Sequence, residues 1–318
     1  MQMLKYVLKR VAYSIVTLFV LVALTFFLQR MLPGDPFIGD KALPQATMDA
    51  LYAKYGLDKS VAEQFLIYLG NCLHGDLGLS LQTNRPVTTI IADSFVVSFD
   101  LGIRAIIFAF VLGVLLGTVA AIKRGKATDT ICMFIALVGV SVPSFIVASI
   151  LQYFLGLQLT QALKGAGMSA MFAATGWDSW NSKILPVLAL GFGSLAQISR
   201  LTRTSMLDVL GQDYIKTAKA KGLSQPAIIW KHALRNAITP VVTVLGPIAA
   251  AVLTGAFVVE NIFSIPGLGR YFVQSIQTMD YTMISGTTIF YGAFLIAANL
   301  VVDLVYGIID PRVKLEEG

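Results

Sequence analysis

The stretch Ala105-Ile-Ile-Phe-Ala-Phe-Val-Leu-Gly-Val-Leu-Leu-Gly-Thr-Val-Ala-Ala-Ile122 runs for 18 residues without a charge. As an α-helix it rises about 27 Å, close to the roughly 30 Å hydrocarbon thickness of a bilayer. Five more stretches of this kind flank it, at residues 11–28, 131–163, 184–199, 237–259 and 284–302, with Pro143 interrupting 131–163. Composition agrees with that reading. Hydrophobic residues make up 56% of the 318 and charged residues 13%, with a mean hydropathy of +0.74. A soluble domain carries roughly 25% charged residues, so the charges here are too few to cover a globule in water. The same composition excludes a disordered chain. Alternating polar and apolar segments of the kind that build a membrane barrel are absent. The expected fold class is therefore all-α: a polytopic membrane protein with six transmembrane helices.

Lys5, Lys9 and Arg10 precede the first span, as in a signal peptide. Its apolar core exceeds the ~7–15 residues of a signal segment, and Gln29-Arg30-Met31-Leu32-Pro33 offers no small-residue cleavage site, so a retained helix is expected. The net charge of +6 matters less than its distribution. Fifteen basic residues lie in the N-terminal tail, the loop after the second span, the region after the fourth span and the C-terminal tail, against seven in the opposite loops. The positive-inside rule then places both termini in the cytoplasm. Cys72 and Cys132 fall on opposite sides of the membrane and cannot pair within one chain, since a disulfide needs Cα atoms within about 7 Å.

Two loops are too long to be mere connectors. The external one, residues 31–94, places Met48, Leu51, Tyr52 and Tyr55 on one helical face. Ser60-Val-Ala-Glu63 then reads as a capping box opening a second helix through Phe65, Leu69 and Leu73. This segment is read as a cap on the membrane surface or a partner-docking element. Trp177 and Trp180 read as interfacial belt residues. The cytoplasmic loop, about residues 201–239, repeats Met206, Leu207, Val209, Leu210, Tyr214 and Ala218 at helical spacing. Lys219 and Lys221 occupy a last turn, where cations oppose the helix dipole, and Gly222 suits the left-handed residue after it. A second helix opens at Ser224 with Pro226 in its first turn and runs through Trp230 and Leu234 towards Pro240. From spacing alone, this helix pair either lies on anionic lipid or docks a partner.

Recognisable catalytic chemistry is missing. Gly125-Lys126-Ala127-Thr128 lacks both the upstream glycine and the adjoining hydroxyl of a phosphate loop, and there is no zinc-protease motif, cysteine-rich metal spacing or nucleophile elbow. His74 and His232, the two histidines, fall on opposite sides of the membrane. Asp303 near the end of the last span reads as a boundary or helix-contact residue, and Asp100 and Arg104 stand one turn apart. Gly139, Pro143, Gly246, Pro247 and Gly255 either kink helices around a pathway or permit close packing. No catalytic, metal or cofactor-binding residue is expected.

Several separated motifs, in order over nearly the whole chain, resemble one family. Asp213-Tyr-Ile-Lys-Thr-Ala-Lys-Ala-Lys-Gly-Leu-Ser224, followed by His232-Ala-Leu-Arg-Asn236 and Pro240, resembles the cytoplasmic "EAA" loop of ABC-importer permeases in its peptide-permease form. Leu4 to Arg10, Leu32-Pro-Gly-Asp-Pro36, His74-Gly-Asp-Leu-Gly-Leu-Ser80, Glu260-Asn-Ile-Phe-Ser-Ile-Pro-Gly-Leu-Gly269 and Asp303 through Val313 are similar to B-type subunits of oligopeptide and dipeptide permeases. The generic E-A-A-x-x-x-G pattern is met in part, with Lys216-Thr217-Ala218 before Gly222, while His232 and Arg235 stand where the wider family has isoleucine and proline.

The resemblance implies a type I ABC-importer fold with a cytoplasmic coupling helix. Residues 1–30 would form the cytoplasmic tail and first span, 31–94 the external helical segment, 95–310 the core permease with five spans, and 311–318 a cytoplasmic tail. Coupling to the ATPase would fall to Asp213, Tyr214, Lys216, Thr217, Ala218, Lys221, Gly222, Leu223, His232 and Arg235, with Ala218 against the ATPase surface. The implied partners are a second homologous permease, two ATP-binding subunits that hold ATP and magnesium, an external substrate-binding lipoprotein or periplasmic protein, and bacterial membrane lipid. No nucleic acid and no cofactor on this chain are implied. Oligopeptides are the favoured substrate, with dipeptides, glutathione or nickel chelates as alternatives. An ATP-independent transporter or channel is the reading from another class, and it would want mid-membrane charges or an internal repeat.

Overall fold

A computed structural model describes residues 2–31, 52, 56, 58–254 and 256–309. Among these, six helices are long and apolar enough to cross a membrane: Lys9–Met31, Val87–Ile122, Ser144–Gly165, Trp180–Leu210, Thr239–Ile262 and Tyr281–Val301. In chain order the elements used below are α1 (Gln2–Met31), α2 (Val61–Leu73), α3 (Val87–Ile122), α4 (Ala127–Ser141), α5 (Ser144–Gly165), α6 (Trp180–Leu210), α7 (Asp213–Ala220), α8 (225–237), α9 (Thr239–Thr254), α10 (Phe257–Ile262), α11 (Leu268–Gln277) and α12 (Tyr281–Ile309). They divide between two compact units, residues 1–97 with 267–318 and residues 98–266.

The second span departs most from its sequence outline. Its helix opens at Val87 rather than at Ala105 and is 36 residues long. At 1.5 Å per residue it measures about 54 Å, far more than a bilayer core needs. Charge marks only where the apolar window ends; the helix continues through Asp93, Asp100 and Arg104. Asp93 is exposed and pairs with Arg85 at 3.0 Å, and Asp100 accepts from Arg104 Nε at 2.7 Å. The third span is split as Pro143 suggests. Helix α4 stops at Ser141, Val142 and Pro143 are extended, and α5 restarts at Ser144. Both halves pack on α6 in one direction: Asp129 meets Arg203, Gly139 meets Ala196 and Phe192, and Gly156 meets Leu185. Residues 152–159 of α5 are wound as a π-helix.

In the unit of residues 98–266, α3 and α4 approach α6 through glycine. A Cβ on Gly113 would sit 2.8 Å from Ile198 Cγ2, one on Gly191 2.7 Å from Phe108 Cδ1, and one on Gly139 2.7 Å from Ala196 Cβ. On Gly117 it would overlap the Ser199 carbonyl and lie 2.6 Å from Thr202 Cβ. Lipid tails are as apolar as leucine, so membrane helices gain by close packing rather than by escaping water, and missing side chains allow that approach. Gly139 is one of these close-packing positions. In the same unit Gln152 Nε2 donates to the carbonyls of Ala174 at 3.0 Å and Ile262 at 2.6 Å, and the Gly176 N–H donates to Phe263 O at 2.8 Å. These bonds tie the loop before α6 to the end of α10. Trp177 is consequently buried against Lys183, 4.9 Å from its ring, rather than standing in an interfacial belt; Trp180 is exposed.

In the other unit, α1 packs on α12, and Gln29 Oε1 accepts from Ser285 Oγ at 3.0 Å. The capping box at Ser60 and Glu63 is present and opens α2. Phe65 and Tyr68 of α2 meet Phe26 of α1 at 5.3 and 5.8 Å between ring centroids. Asp280 is the polar centre of the unit. Its buried carboxylate accepts from Ser80 Oγ at 2.6 Å and from the N–H groups of Leu81 and Met283 at 3.1 Å, so it pins the segment after α2 while capping α12.

Replacing Gly117 with Val forces a branched side chain into the α3–α6 contact. It is expected to cost about 1–3 kcal/mol of overpacking, read as a lowered thermal midpoint of the purified protein. Gly165→Ala, where nothing lies within 4 Å, should leave that midpoint unchanged.

Candidate functional site: the loop between α6 and α9

Helix α7 has eight residues, too few to stand alone in water. It is held by a small core of its own. Ile215 and Ala218, three apart and so on one face, pack with Met206 of α6, Ala121 at the end of α3, and Ile228, Ala233 and Ala237 of α8. All seven are buried, and Leu223, Ile229 and Leu234 close over them. The turn after α7 follows the Schellman pattern: Leu223 N–H donates to Ala218 O at 3.3 Å and Gly222 N–H to Lys219 O at 3.0 Å. Gly222 has φ +76°, the left-handed region where a β-carbon is costly. Ser224 has the extended geometry of an N-cap, and Pro226 sits in the first turn of α8. Asn236 Nδ2 donates to the Tyr214 hydroxyl at 2.9 Å, joining α8 to α7.

Asp213, Tyr214, Lys216, Thr217, Lys221 and Gly222 are exposed along one outward strip, and Trp230 and Arg235 are exposed on α8. Leu223 and His232 are half-buried. Ala218 faces inward instead. Its side chain fills the loop's own core rather than lying against a partner surface. The Lys216–Asp213 pair at 2.8 Å is fully in solvent reach and contributes little to holding the helix.

A latch invisible in the motif reading sits beside this loop. Arg203 Nε and Nη2 donate to the two carboxylate oxygens of Asp129 at 2.6 and 2.8 Å, and the Gly125 N–H donates to Oδ2 at 3.0 Å. This two-pronged pairing joins the start of α4 to the part of α6 that leads into the loop. The Arg203 guanidinium first, and the Gly125 N–H second, hold the Asp129 carboxyl at about 2, below its ordinary 3.8. The signal available in sequence was one acidic residue, Asp129, two positions ahead of an uncharged run, and it named no partner.

The positions singled out as kinks or pore residues separate. Gly139 and Pro143 line a groove of about 830 Å³ with Gln197, Arg200 and Thr204 of α6 and Val244 of α9. Gly246 and Pro247 lie inside α9, which continues past both, and do not line it. Gly255, the external face of Met48, Leu51 and Tyr55, and the tail 311–318 lie outside the described residues.

Comparison with known proteins bears on this arrangement. Residues 113–315 match the family described as "Binding-protein-dependent transport system inner membrane component". Residues 3–102 match the N-terminal family described as "Binding-prot-dependent transport system membrane comp, N-term". The chain belongs to this family of transport-system membrane components. It is 44% identical over 318 residues, 99% of each chain, to the "Dipeptide transport system permease protein DppB" of Bacillus subtilis. To the "Oligopeptide transport system permease protein OppB" of Haemophilus influenzae it is 40% identical over 315 residues, 98% of this chain and 100% of the other. The solved structure of the MetNI methionine ABC transporter in inward-facing form superposes with a TM-score of 0.52 at 14% identity, covering 70% of this chain and 96% of that one. An amino acid ABC transporter with histidines gives 0.50 at 15% identity, covering 71% and 95%. At those identities the likeness is one of fold: the all-α, six-span ABC-importer permease. The chain is thus a multi-pass membrane component of a transport system, not an enzyme.

Two substitutions test the site's construction. Ala218→Trp should open the loop's core from inside, raising amide exchange across residues 213–237 while α3 and α6 keep their protection. Asp129→Asn leaves the half-buried Arg203 guanidinium without its carboxylate and should cost about 1–3 kcal/mol near neutral pH. A carboxyl held below its unfolded value contributes stability that is complete above about 3.8 and fades as pH falls towards 2. Thermal unfolding of the wild type should therefore lose this contribution only in that acid window, and the Asn variant should lack it at every pH.

Proposed function

We propose that this chain is one permease subunit of an ATP-driven importer for peptides, forming half of the translocation pore and transmitting ATP hydrolysis by separate subunits through the strip Asp213–Gly222. The observation that carries the reading is the mounting of α7. A helix too short to be stable alone is fixed to the ends of α3 and α6 by Ile215 and Ala218, while its opposite face is left in solvent. A lipid-bound helix would turn its apolar face outward; here that face is spent on the chain's own core. Polar and aromatic groups on a rigid mount suit a groove on another protein. Tyr214 and Trp230 are the side chains of the type that anchors interfaces.

Family membership and the names of the relatives support peptides as the substrate class, both "dipeptide" and "oligopeptide" being represented among them. The partners proposed are a second permease of similar fold, two ATPase chains that bind ATP and magnesium, and an external substrate-binding protein. Ala218 and Leu223 act by holding the strip in place, and Asp213, Tyr214, Lys216, Thr217, Lys221, His232 and Arg235 supply contacts. The proposed setting is a bacterial inner or cytoplasmic membrane with both termini inside, as the distribution of lysine and arginine supports.

The full complex with its ATPase chains is the object to assay. Tyr214→Ala should weaken ATPase co-purification by about tenfold, the scale of losing an interface aromatic. Gly222→Val, which puts a branched residue at φ +76°, should abolish peptide-stimulated hydrolysis while the permease still inserts at normal levels. Wild-type coupling in both variants would reject the assignment. For orientation, a cysteine at Asn84 in a Cys72→Ser background should react with an impermeant maleimide on intact cells, and one at Lys219 should not; the reverse pattern would invert the topology.

A further inference from the structure

The unit of residues 1–97 and 267–318 contains a cavity of about 300 Å³ where α1, α2 and the start of α12 meet. Gln29, Arg30, Tyr68, Leu77, Tyr281 and Ser285 are among its lining residues. Its polar chemistry is incomplete. Gln29 is 4% exposed; its Oε1 accepts from Ser285, yet its Nε2 donates to nothing. Arg30 donates through Nη2 to Gln64 Oε1, and its guanidinium lies 4.7 Å from the Phe26 ring centroid and 5.3 Å from that of Tyr281, but Nε has no acceptor. No carboxylate pairs with this half-buried cation among the described residues. The Tyr68 hydroxyl approaches Ser285 and Cys72 without a well-directed hydrogen bond. Burial raises its phenol above the usual range, so it stays a neutral donor. The first turn of α12 completes the wall; its N-terminus is already capped by Asp280, whose carboxylate is occupied by Ser80, Leu81, Gln82 and Met283.

Buried donors and buried cations are matched in native proteins, so three donors and a positive charge around one cavity call for an acceptor that carries negative charge. The position says which. Arg30 lies in the last turn of α1, at the end of the span Lys9–Met31. Below it Ile15, Val16, Phe19, Val20, Leu24 and Leu28 leave an apolar helix face uncovered. On α2, Leu66 and Leu73 are 67% and 80% exposed, which suits a helix lying in the membrane interface. An anion with hydrocarbon directly beneath it is a phospholipid headgroup. Asp76 stands exposed at the rim with Oδ1 taken by the Gly78 N–H. That nearby charge disfavours the multiply charged inorganic phosphate and tolerates a singly charged phosphodiester.

We propose that this cavity is a lipid site, in which Arg30, Gln29 and Tyr68 hold the phosphodiester of one glycerophospholipid whose acyl chains lie along the open face of α1. The site is separate from the α6–α9 loop and stands whatever the importer carries. It would lock α1 and α2 to α12 only when the protein is in a membrane.

The test is native mass spectrometry of the intact, delipidated complex titrated with phosphatidylethanolamine, with diacylglycerol of the same chains, and with inorganic phosphate. Wild type should bind phosphatidylethanolamine at one site that Arg30→Gln weakens by about tenfold, the scale of losing a charge-assisted contact. Arg30→Lys, which keeps the charge, should recover part of it, and Gln29→Met should weaken it less. Diacylglycerol should not fill the site, and inorganic phosphate should not displace the lipid. Equal lipid occupancy in wild type, Arg30→Gln and Gln29→Met would overturn the proposal. So would equal binding of diacylglycerol, or displacement by inorganic phosphate, which would make it a free-anion site. Should Arg30→Gln fail to assemble, the Gln29→Met titration and the two wild-type competitions decide the matter.

Discussion

Close approach of α3 and α4 to α6 is the contact on which the functional part of the molecule depends. In hydrocarbon no helix gains by hiding leucine from lipid, so contact must come from shape. Gly113, Gly117, Gly139 and Gly191 remove side chains where α3, α4 and α6 touch. The ends of α3 and α6 are thereby brought side by side, and Ala121 and Met206 at those ends become the floor on which α7 and α8 are built. The Asp129–Arg203 pair reinforces the same junction from α4. A mobile floor would make a poor mount for a helix of eight residues.

Ile215 and Ala218 fix the exposed strip of α7 to the ends of two membrane helices. The α4–α5 break at Val142 and Pro143 lies along α6, beside the groove that Gln197, Arg200 and Thr204 line. Met206, which anchors the loop, and the residues that border the groove thus share one helix.

Much of this was legible in the residue order. Runs without charge located the six spans, because a bilayer requires backbone polar groups to be satisfied within each segment and so permits little but helices. Ser60 with Glu63, and Gly222 after Lys221, announced a helix start and a helix stop because caps are local chemistry. Helix limits were less legible. The true start of α3 at Val87 was hidden, since charge shows where a window stops being apolar and not where a helix ends. Trp177 looked like a belt residue, and only the bonds joining Gly176 and Ala174 to the end of α10 bury it.

The sequence by itself determined the class of molecule, the number of spans, the helix–glycine–helix form of the loop and its family, all of which rest on local periodicity and short motifs. Tertiary structure alone decided which way each side chain points. Ala218 turns inward and Tyr214 outward because Met206 and Ala121, distant in sequence, stand on one side of α7 only. Asp129 found Arg203, and Asp280 found Ser80, across separations of 74 and 200 residues. Gln29 and Arg30 became the lining of a cavity because α2 and α12 close around them. Pairings of that range depend on how the helices pack, and packing depends on many contacts at once, so no short stretch of residues contains them.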